Sequence, residues 1–485
     1  MQVLQVSAEM VPWMKTGGLA DVTGALPKAL APLGVEMRSL LPGYPAVFEK
    51  LRGAEAIGQV ALPWGEVVGV LRGLAEGSEA LLYLIDAPWL FARAGSPYAD
   101  AQGHAFADNH RRFAALCRVG CDLALGLDPT WQPALVHAHD WHAGLVPLYL
   151  AGGTDPAHRP RSVFTIHNLA YQGLFRPVHL SELGLPLSMF HPQGIEYHGQ
   201  ISFMKAGIIY ADRVSTVSAS YAQEIQTPEQ GFGLDGLLWQ HRNKLSGIRN
   251  GIDAELWDPR EDPHLAHPYG PGQLPERTRN HAALGEELGL HREHSAPRCA
   301  IVSRLHPHKG LGLVVQAAGQ LIHDGAQLAI LGHGEASIEH AFLELQERHP
   351  GQVRVRLGFD EALAHRLLAG CDMLLMPSQF EPCGLTQMYA MRYGCLPLVH
   401  AVGGLADTVI PWRTSKAEAG TSTGFSFAAF TTDAFLDAWK EALACWHQPG
   451  QWRALQNTGM SLALDWSESA RQYTHLYHQL GNSYG

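Results

Sequence analysis

No apolar run in the chain approaches the roughly 20 residues that a helix needs to cross a bilayer. Nor is there an excess of basic charge: 35 Lys and Arg face 46 Asp and Glu, for a formal net charge of −11. That balance argues against a general nucleic-acid or membrane-surface binder. It also requires any anionic ligand to be held by cations gathered locally. Cysteines are few and odd in number, seven in 485 residues, and their scatter does not describe a disulfide framework. A reducing, cytoplasmic setting follows as the expectation. Cys117 and Cys121, one helical turn apart, read as buried thiols rather than a redox pair. Internal repeats and low-complexity tracts are missing. The first 18 residues lack a basic start, and Glu9 and Pro12 interrupt their apolar stretch, so they read as a core strand entering a loop rather than a signal peptide.

What is present is a long, ordinary globular composition, 46% hydrophobic and 17% charged. A length of 485 residues exceeds what one core usually supports, so two domains are expected. Strand, turn and helix patterns alternate, which predicts an α/β protein with parallel sheets covered by helices. Strands are expected at 3–6, 37–41, 81–85, 135–138, 163–166 and 214–217, and again at 300–302, 328–331, 353–357, 373–376 and 396–399. Several are continuous Val, Ile, Leu and Met runs, as strands buried on both faces should be. Leu311, Val314, Ala318, Leu321 and Ile322 fall on one helical face, as do Leu19, Val22, Leu26, Leu30 and Leu33. The change-over between sheets is placed near 250–259, and 263–298 reads as surface connection plus a helix.

Ligands of such sheets bind beyond the carboxyl ends of the strands, and that is where five motifs fall. Lys15-Thr16-Gly17-Gly18 follows the first strand; its glycines let backbone N–H groups approach an anion at a helix start, and Lys15 adds a charge. It is neither a dinucleotide GxGxxG nor a Walker loop, and a plain turn with a surface lysine remains open. His137-Ala138-His139-Asp140-Trp141-His142 invites a metal reading. Trp141 separates the Asp from the last His, however, and strand alternation turns His137 and Ala138 to opposite faces, so no metal is expected here. Asp140 suits sugar-hydroxyl recognition better. His167 and Asn168 end the strand at 163–166 and open a Gly-containing loop suited to a sugar. Arg304 and Lys309, five residues apart at a strand-to-helix junction, make a diphosphate clamp in an acidic chain. Glu381-Pro382-Cys383-Gly384-Leu385-Thr386 follows the strand at 373–376 and combines a carboxylate, a Gly turn and a hydroxyl. Gly403-Gly404 repeats the Gly-turn design at the next strand end, as a second anion turn.

Taken together, KTGGLADV, HAHDWHAGL, FTIHNLAYQG, ISFMKAGIIYAD, SRL with KG, and FEPCGLTQMYAMRYG resemble the bacterial and plant glycogen and starch synthases, from Met1 to about Tyr477. The resemblance implies the GT-B fold: two Rossmann-like doubly wound parallel-sheet domains facing an interdomain cleft. It implies an N-terminal domain over 1–245 on the acceptor side, a donor-binding domain over 246–460, and a C-terminal helix in 461–485 packing back on the first. It also implies ADP-glucose as donor, an α-1,4-glucan such as glycogen as acceptor, and no cofactor or metal. No nucleic acid, membrane or protein partner is implied.

Carried onto this sequence, the resemblance gives His167, Arg304, Lys309 and Glu381 as catalytic. Lys15 and Gly18 would lie by the donor diphosphate, with Asp21 and Tyr98 on the N-domain side of the cleft. Asp140 would line the glucosyl subsite and Asn250 would lie near the sugar. Cys383, Gly384, Leu385 and Thr386 would shape the sugar and phosphate contacts, and Phe359 would stack on the adenine where synthases often carry Tyr. A second departure from the wider retaining GT-B pattern is Tyr389, where that group often has a Glu. Retention would then proceed by front-face departure and attack, since no second carboxylate stands ready for a covalent route. Three rivals remain open: a UDP-glucose enzyme with fructose or glucose phosphate as acceptor, a silent glucan-binding scaffold, and a metallo-hydrolase built on HAHDWH.

Overall fold

Runs of β-branched and large apolar residues build two separate sheets in the computed structural model, which describes residues 1–76, 81–153, 159–291, 295–413 and 421–481. The chain divides into two units: Met1–Gly251 with Trp466–Gly485, and Ile252–Asp465.

In the first unit the strands are β1 (Gln2–Val6), β2 (Glu36–Pro42), β3 (Leu51–Ala61), β4 (Val67–Ala75), β5 (Leu81–Asp86), β6 (Leu135–His139) and β7 (Arg161–Ile166). A small antiparallel sheet follows, with β8 (Leu174–Phe175), β9 (Glu196–Tyr197) and β10 (Gln200–Ser202); then come β11 (Arg213–Thr216) and β12 (Leu245–Gly247). The main sheet has the order β12-β11-β7-β6-β1-β2-β5-β4-β3. Only β4 runs against both of its neighbours. The chain steps from β1 to β2 in one direction and reaches β6 and β7 in the other, so the topological switch lies between β1 and β6.

The second unit carries β13 (Arg298–Val302), β14 (Gln327–Gly332), β15 (Val353–Leu357), β16 (Met373–Met376), β17 (Leu396–His400) and β18 (Phe425–Phe427). Its order is β15-β14-β13-β16-β17-β18, parallel throughout, with the switch between β13 and β16. A doubly wound sheet places its ligand crevice at such a switch.

Each unit has its own core. The helix Leu311–His323 buries Leu311, Val314, Ala318, Leu321 and Ile322 among Ile330, Trp439 and their neighbours. Each such side chain contributes about 1.5–3 kcal/mol on burial, so Val314→Asp would remove this helix from its sheet. The helix Gly18–Leu30 buries Leu19, Val22, Leu26 and Leu30. Leu33, expected on the same face, is 40% exposed instead, because the chain has already tightened into a 3₁₀ turn at Ala31–Leu33. The C-terminal helix Ser467–Gly481 returns to the first unit, where Tyr473, Leu476 and Tyr477 share a cluster with Val22, Leu26 and Val163. All seven cysteines are free and buried. In the stretch 263–298 a helix forms at Leu274–Leu288, and residues 292–294 lie outside the described ones.

Candidate active site: two strand-end clusters

The carboxyl end of β1 leads into the loop that carries Lys15, and its organiser is Glu9. This carboxylate is 2% exposed. Its Oε2 accepts from the Thr16 backbone N–H at 2.5 Å and its Oε1 from the Thr16 hydroxyl at 2.6 Å. The Tyr98 hydroxyl also donates to Oε1. Three donors converge on one buried carboxylate, which holds the Lys15–Gly18 loop and the Tyr98 segment in a fixed relation. Burial, followed by the Glu9 charge, pushes the Tyr98 hydroxyl well above its ordinary pKa, so it remains a donor. The Tyr98 ring stacks on His142 with centroids 4.6 Å apart. Lys15 pairs with Asp21 at 2.7 Å, near the surface. Gly18 opens the helix, whose N-cap Gly17 offers no side-chain cap.

At the end of β6, Asp140 is buried and adopts φ 60° and ψ 178°, a strained backbone for a non-glycine residue. Its side chain accepts from the Trp141 N–H at 2.8 Å. Burial raises its pKa to about 8, with the Glu9 charge adding to the shift, so at neutral pH the acid is largely protonated. His139 Nδ1 and His167 Nε2 lie 2.9 Å apart. Burial lowers His167 to about 3 and holds His139 well below its usual value, so both rings are neutral. One therefore donates to the other. His137 has a different role: its Nδ1 meets the Tyr477 hydroxyl at 2.7 Å and its Nε2 meets Thr165 Oγ1 at 2.6 Å, tying β6 to the C-terminal helix. The polar groups of HAHDWH therefore do not converge on one point: His137 and His139 lie side by side on one face of β6, their rings 4.0 Å apart, while His142 turns toward Tyr98. Asn250, 4% exposed, leaves its Oδ1 buried without a hydrogen-bond partner among the described residues.

In the second unit the switch between β13 and β16 carries the formal charges. Lys309 Nζ lies 2.6 Å from Glu381 Oε2, and the Ser378 hydroxyl donates to the same oxygen at 3.0 Å. Sequence reading assigns Lys309 and Glu381 to different groups of the ligand; here they form one ion pair. Arg304 is exposed, and its guanidinium has no ion-pair partner among the described residues. Close backbone approach makes this arrangement possible. A Cβ on Gly310 (φ 67°) would meet the Pro377 carbonyl oxygen at 1.8 Å, and one on Gly404 would meet the Cys383 carbonyl oxygen at 2.0 Å. The Gly404 N–H donates to the Glu381 carbonyl at 3.1 Å. The expected second anion turn at Gly403-Gly404 is therefore corrected: these glycines seat the Glu381–Cys383 loop, and that N–H is already used.

Cys383 is buried, and Gly384 has a φ of 68°. Leu385 caps the short helix Thr386–Arg392. Gln387, fully buried, donates to the carbonyls of Cys383 and Gly384 at 3.1 and 2.9 Å and fixes the turn. Phe359 is 83% exposed just beyond β15, a ring face free to stack. Tyr389, by contrast, is 9% exposed and stacks on Trp257 at 3.9 Å, which explains how the site tolerates an aromatic ring in place of a carboxylate.

Sequence reasoning missed Glu9, Ser378 and Gln387. Glu9 had a signal, a lone acid inside an apolar strand exit. Gln387 lies inside FEPCGLTQMYAMRYG and Ser378 two residues before it, but both act through contacts that periodicity does not encode. Among the described residues one group, His110, His179 and Glu182, brings three potential metal-ligand atoms within 4.8 Å of one another, and HAHDWH supplies none.

Comparison with known proteins gives a consistent result. Residues 2–240 match the starch synthase catalytic domain family, and residues 291–456 match glycosyl transferases group 1. A glycogen synthase of Variovorax paradoxus (strain S110) is 48% identical over 494 aligned positions, covering 100% of both chains. One from Serratia proteamaculans (strain 568) is 47% identical over 99% of this chain and 100% of its own. Among solved structures, the catalytic domain of starch synthase IV from Arabidopsis thaliana, bound to ADP and acarbose, superposes with a TM-score of 0.88 at 32% identity and 99% coverage of each chain. Sucrose-phosphate synthase from Thermosynechococcus elongatus, at 18% identity and a TM-score of 0.60 over 99% of each chain, shares the fold. The fold is GT-B, two Rossmann-like units in one chain.

Proposed function

Because the chain belongs to the glycogen synthase family and is a glycosyltransferase, we propose that it moves glucose from ADP-glucose to the non-reducing end of an α-1,4-glucan with retention of configuration. The observation that carries this reading is the charged cluster at the β13/β16 switch: an unpaired Arg304 beside a Lys309–Glu381 pair. A sugar that leaves as a nucleoside diphosphate needs cations at the leaving group and a hydroxyl acceptor at the sugar. This cluster supplies both.

In the proposed mechanism Arg304 binds the diphosphate bidentately. Lys309 shares its charge between Glu381 in the resting site and the phosphate as negative charge grows there. Glu381, held by Ser378, accepts from hydroxyls of the transferred glucose, with Cys383, Gly384, Leu385 and Thr386 forming the surrounding turn. Phe359 stacks on the base. Within the first unit Tyr98 holds the Lys15–Gly18 loop through Glu9, Asp21 pairs with Lys15, and Asp140, His167 and Asn250 offer polar groups suited to sugar hydroxyls. Neutral His167 and protonated Asp140 offer hydrogen bonds without repelling or attracting the phosphates. The C1–O bond to the diphosphate breaks, an oxocarbenium-like ion forms, and the glucan 4-hydroxyl attacks from the same face while the leaving phosphate takes its proton. No cofactor or metal takes part in the transfer.

The test is incorporation of labelled glucose into glycogen from ADP-glucose or UDP-glucose, with chelator present. Transfer from ADP-glucose is the expected result. Transfer from UDP-glucose alone would move the donor assignment, and none from either would overturn the reading.

A further inference from the structure

Away from the strand-end clusters, the start of the helix Asn109–Ala124 meets the turn after β8 through three side chains of metal-binding type. His110 Nε2 lies 2.9 Å from Glu182 Oε2, and His179 Nδ1 lies 3.3 Å from the same oxygen. The two imidazole rings are 3.7 Å apart. Tetrahedral Zn²⁺, with bonds of about 2.0–2.1 Å, sets its ligand atoms roughly 3.3 Å from one another. Two of the three separations therefore already stand close to the edges of such a tetrahedron, and all three atoms lie within 4.8 Å of one another. We propose that His110, His179 and Glu182 form a binding site for a divalent transition metal of the zinc class, with the fourth position left to water.

The chemistry of the donor set supports that choice. Two imidazoles and one carboxylate suit zinc and its neighbours rather than calcium or magnesium, which take oxygen ligands. Glu182 is partly exposed, which leaves an entry path for the ion. Arg111 donates to Glu182 Oε2 at 2.9 Å and is the one feature set against a cation. Its guanidinium competes for the carboxylate, so the site is expected to be weaker than one without it.

The position gives the metal a consequence. One residue before His110, Asn109 donates to the Tyr98 carbonyl at 2.9 Å, and two residues after it Arg112 donates to the Pro97 carbonyl at 2.8 Å. A metal here would fasten the β8 turn to the helix end that holds the Tyr98 segment. Its role is structural, and it is separate from the metal-free transfer proposed above.

The experiment uses the full chain, stripped with chelator and titrated with Co²⁺ and Zn²⁺. One tight equivalent is expected, with the visible absorption of four-coordinate cobalt and a raised melting temperature. His179→Ala and Glu182→Gln change partly exposed positions, and circular dichroism without metal checks their fold. Each should weaken binding at least tenfold and abolish the cobalt bands, while Arg111→Gln should tighten binding. Bands and affinity that survive in both ligand variants would place the metal on other histidines and overturn the proposal, as would the lack of any tight equivalent in the unmodified chain.

Discussion

The two switch points solve different electrostatic problems with the same sheet geometry. At β1/β6 His167 and Asp140 are buried and neutral: burial has lowered His167 to about 3 and raised Asp140 to about 8. At β13/β16 cation meets carboxylate instead: Lys309 is paired with Glu381, and Arg304 is exposed. A neutral set of donors and acceptors reads hydroxyls without perturbing a nearby anion. A charged set stabilises negative charge as it develops. The difference teaches that pairing, more than burial, decides which strand-end residues stay charged: Glu381 is as buried as Asp140 and His167, but among the described residues it alone of the three meets a cation.

Substitutions can break or sharpen that contrast. The largest effect is expected for Glu381→Gln, which removes the charge that holds Lys309 and turns one of the two acceptor oxygens into a donor. Turnover should fall roughly 10²–10³-fold with the circular dichroism spectrum unchanged. Near-normal turnover would take Glu381 out of the site. A smaller effect is expected for Tyr98→Phe, which loses the bond to Glu9 and loosens the Lys15 loop. A bond to a charged group is worth about 1.5–3 kcal/mol, so kcat/KM should drop by about tenfold or somewhat more. An unchanged kcat/KM would show that the loop is held without it.

The neutral cluster also predicts a pH effect on stability. His137 and His167 have folded-state values near 3, below the unfolded value near 6.5. Between those limits the unfolded chain binds more protons, so stability should fall as pH drops from about 6.5 toward 3. Thermal melts at successive pH values would show this, and His137→Asn should flatten the slope; a flat wild-type profile would contradict it. The smallest effect is expected at Tyr477→Phe. It leaves His137 Nδ1 unpaired in a buried site and should cost about 1–3 kcal/mol in denaturant unfolding. Glucose transfer should change little, whereas a stability equal to wild type would deny the helix anchor.

Much of this contrast was legible in the sequence. The expected strands at 135–138 and 373–376 coincide with β6 and β16, since continuous apolar runs mark strands buried on both faces. By contrast, β3 and β4 were not expected. Their exposed faces and interrupting Gly and Ala residues carry little hydrophobic periodicity, and they gain their order from pairing with β5. The strand-end positions of Lys15, Asp140, Arg304 and Glu381 were readable because motif and strand end coincide. The Lys309–Glu381 pair spans 72 positions and the Tyr98–Glu9 contact 89, and no local pattern announces contacts between segments so far apart. The pairing explains why one cation of the clamp is compensated and the other is not.

That asymmetry is tested most directly by the turnover of Lys309→Ala at saturating ADP-glucose, compared with its KM for the donor. A cation acting on developing charge should cost roughly 10²–10³-fold in kcat, with KM changed only a few-fold because Arg304 still holds the ground-state diphosphate. A variant with near-normal kcat and a greatly raised KM would contradict the account, making Lys309 a binding residue and leaving the leaving group without its stabilising charge.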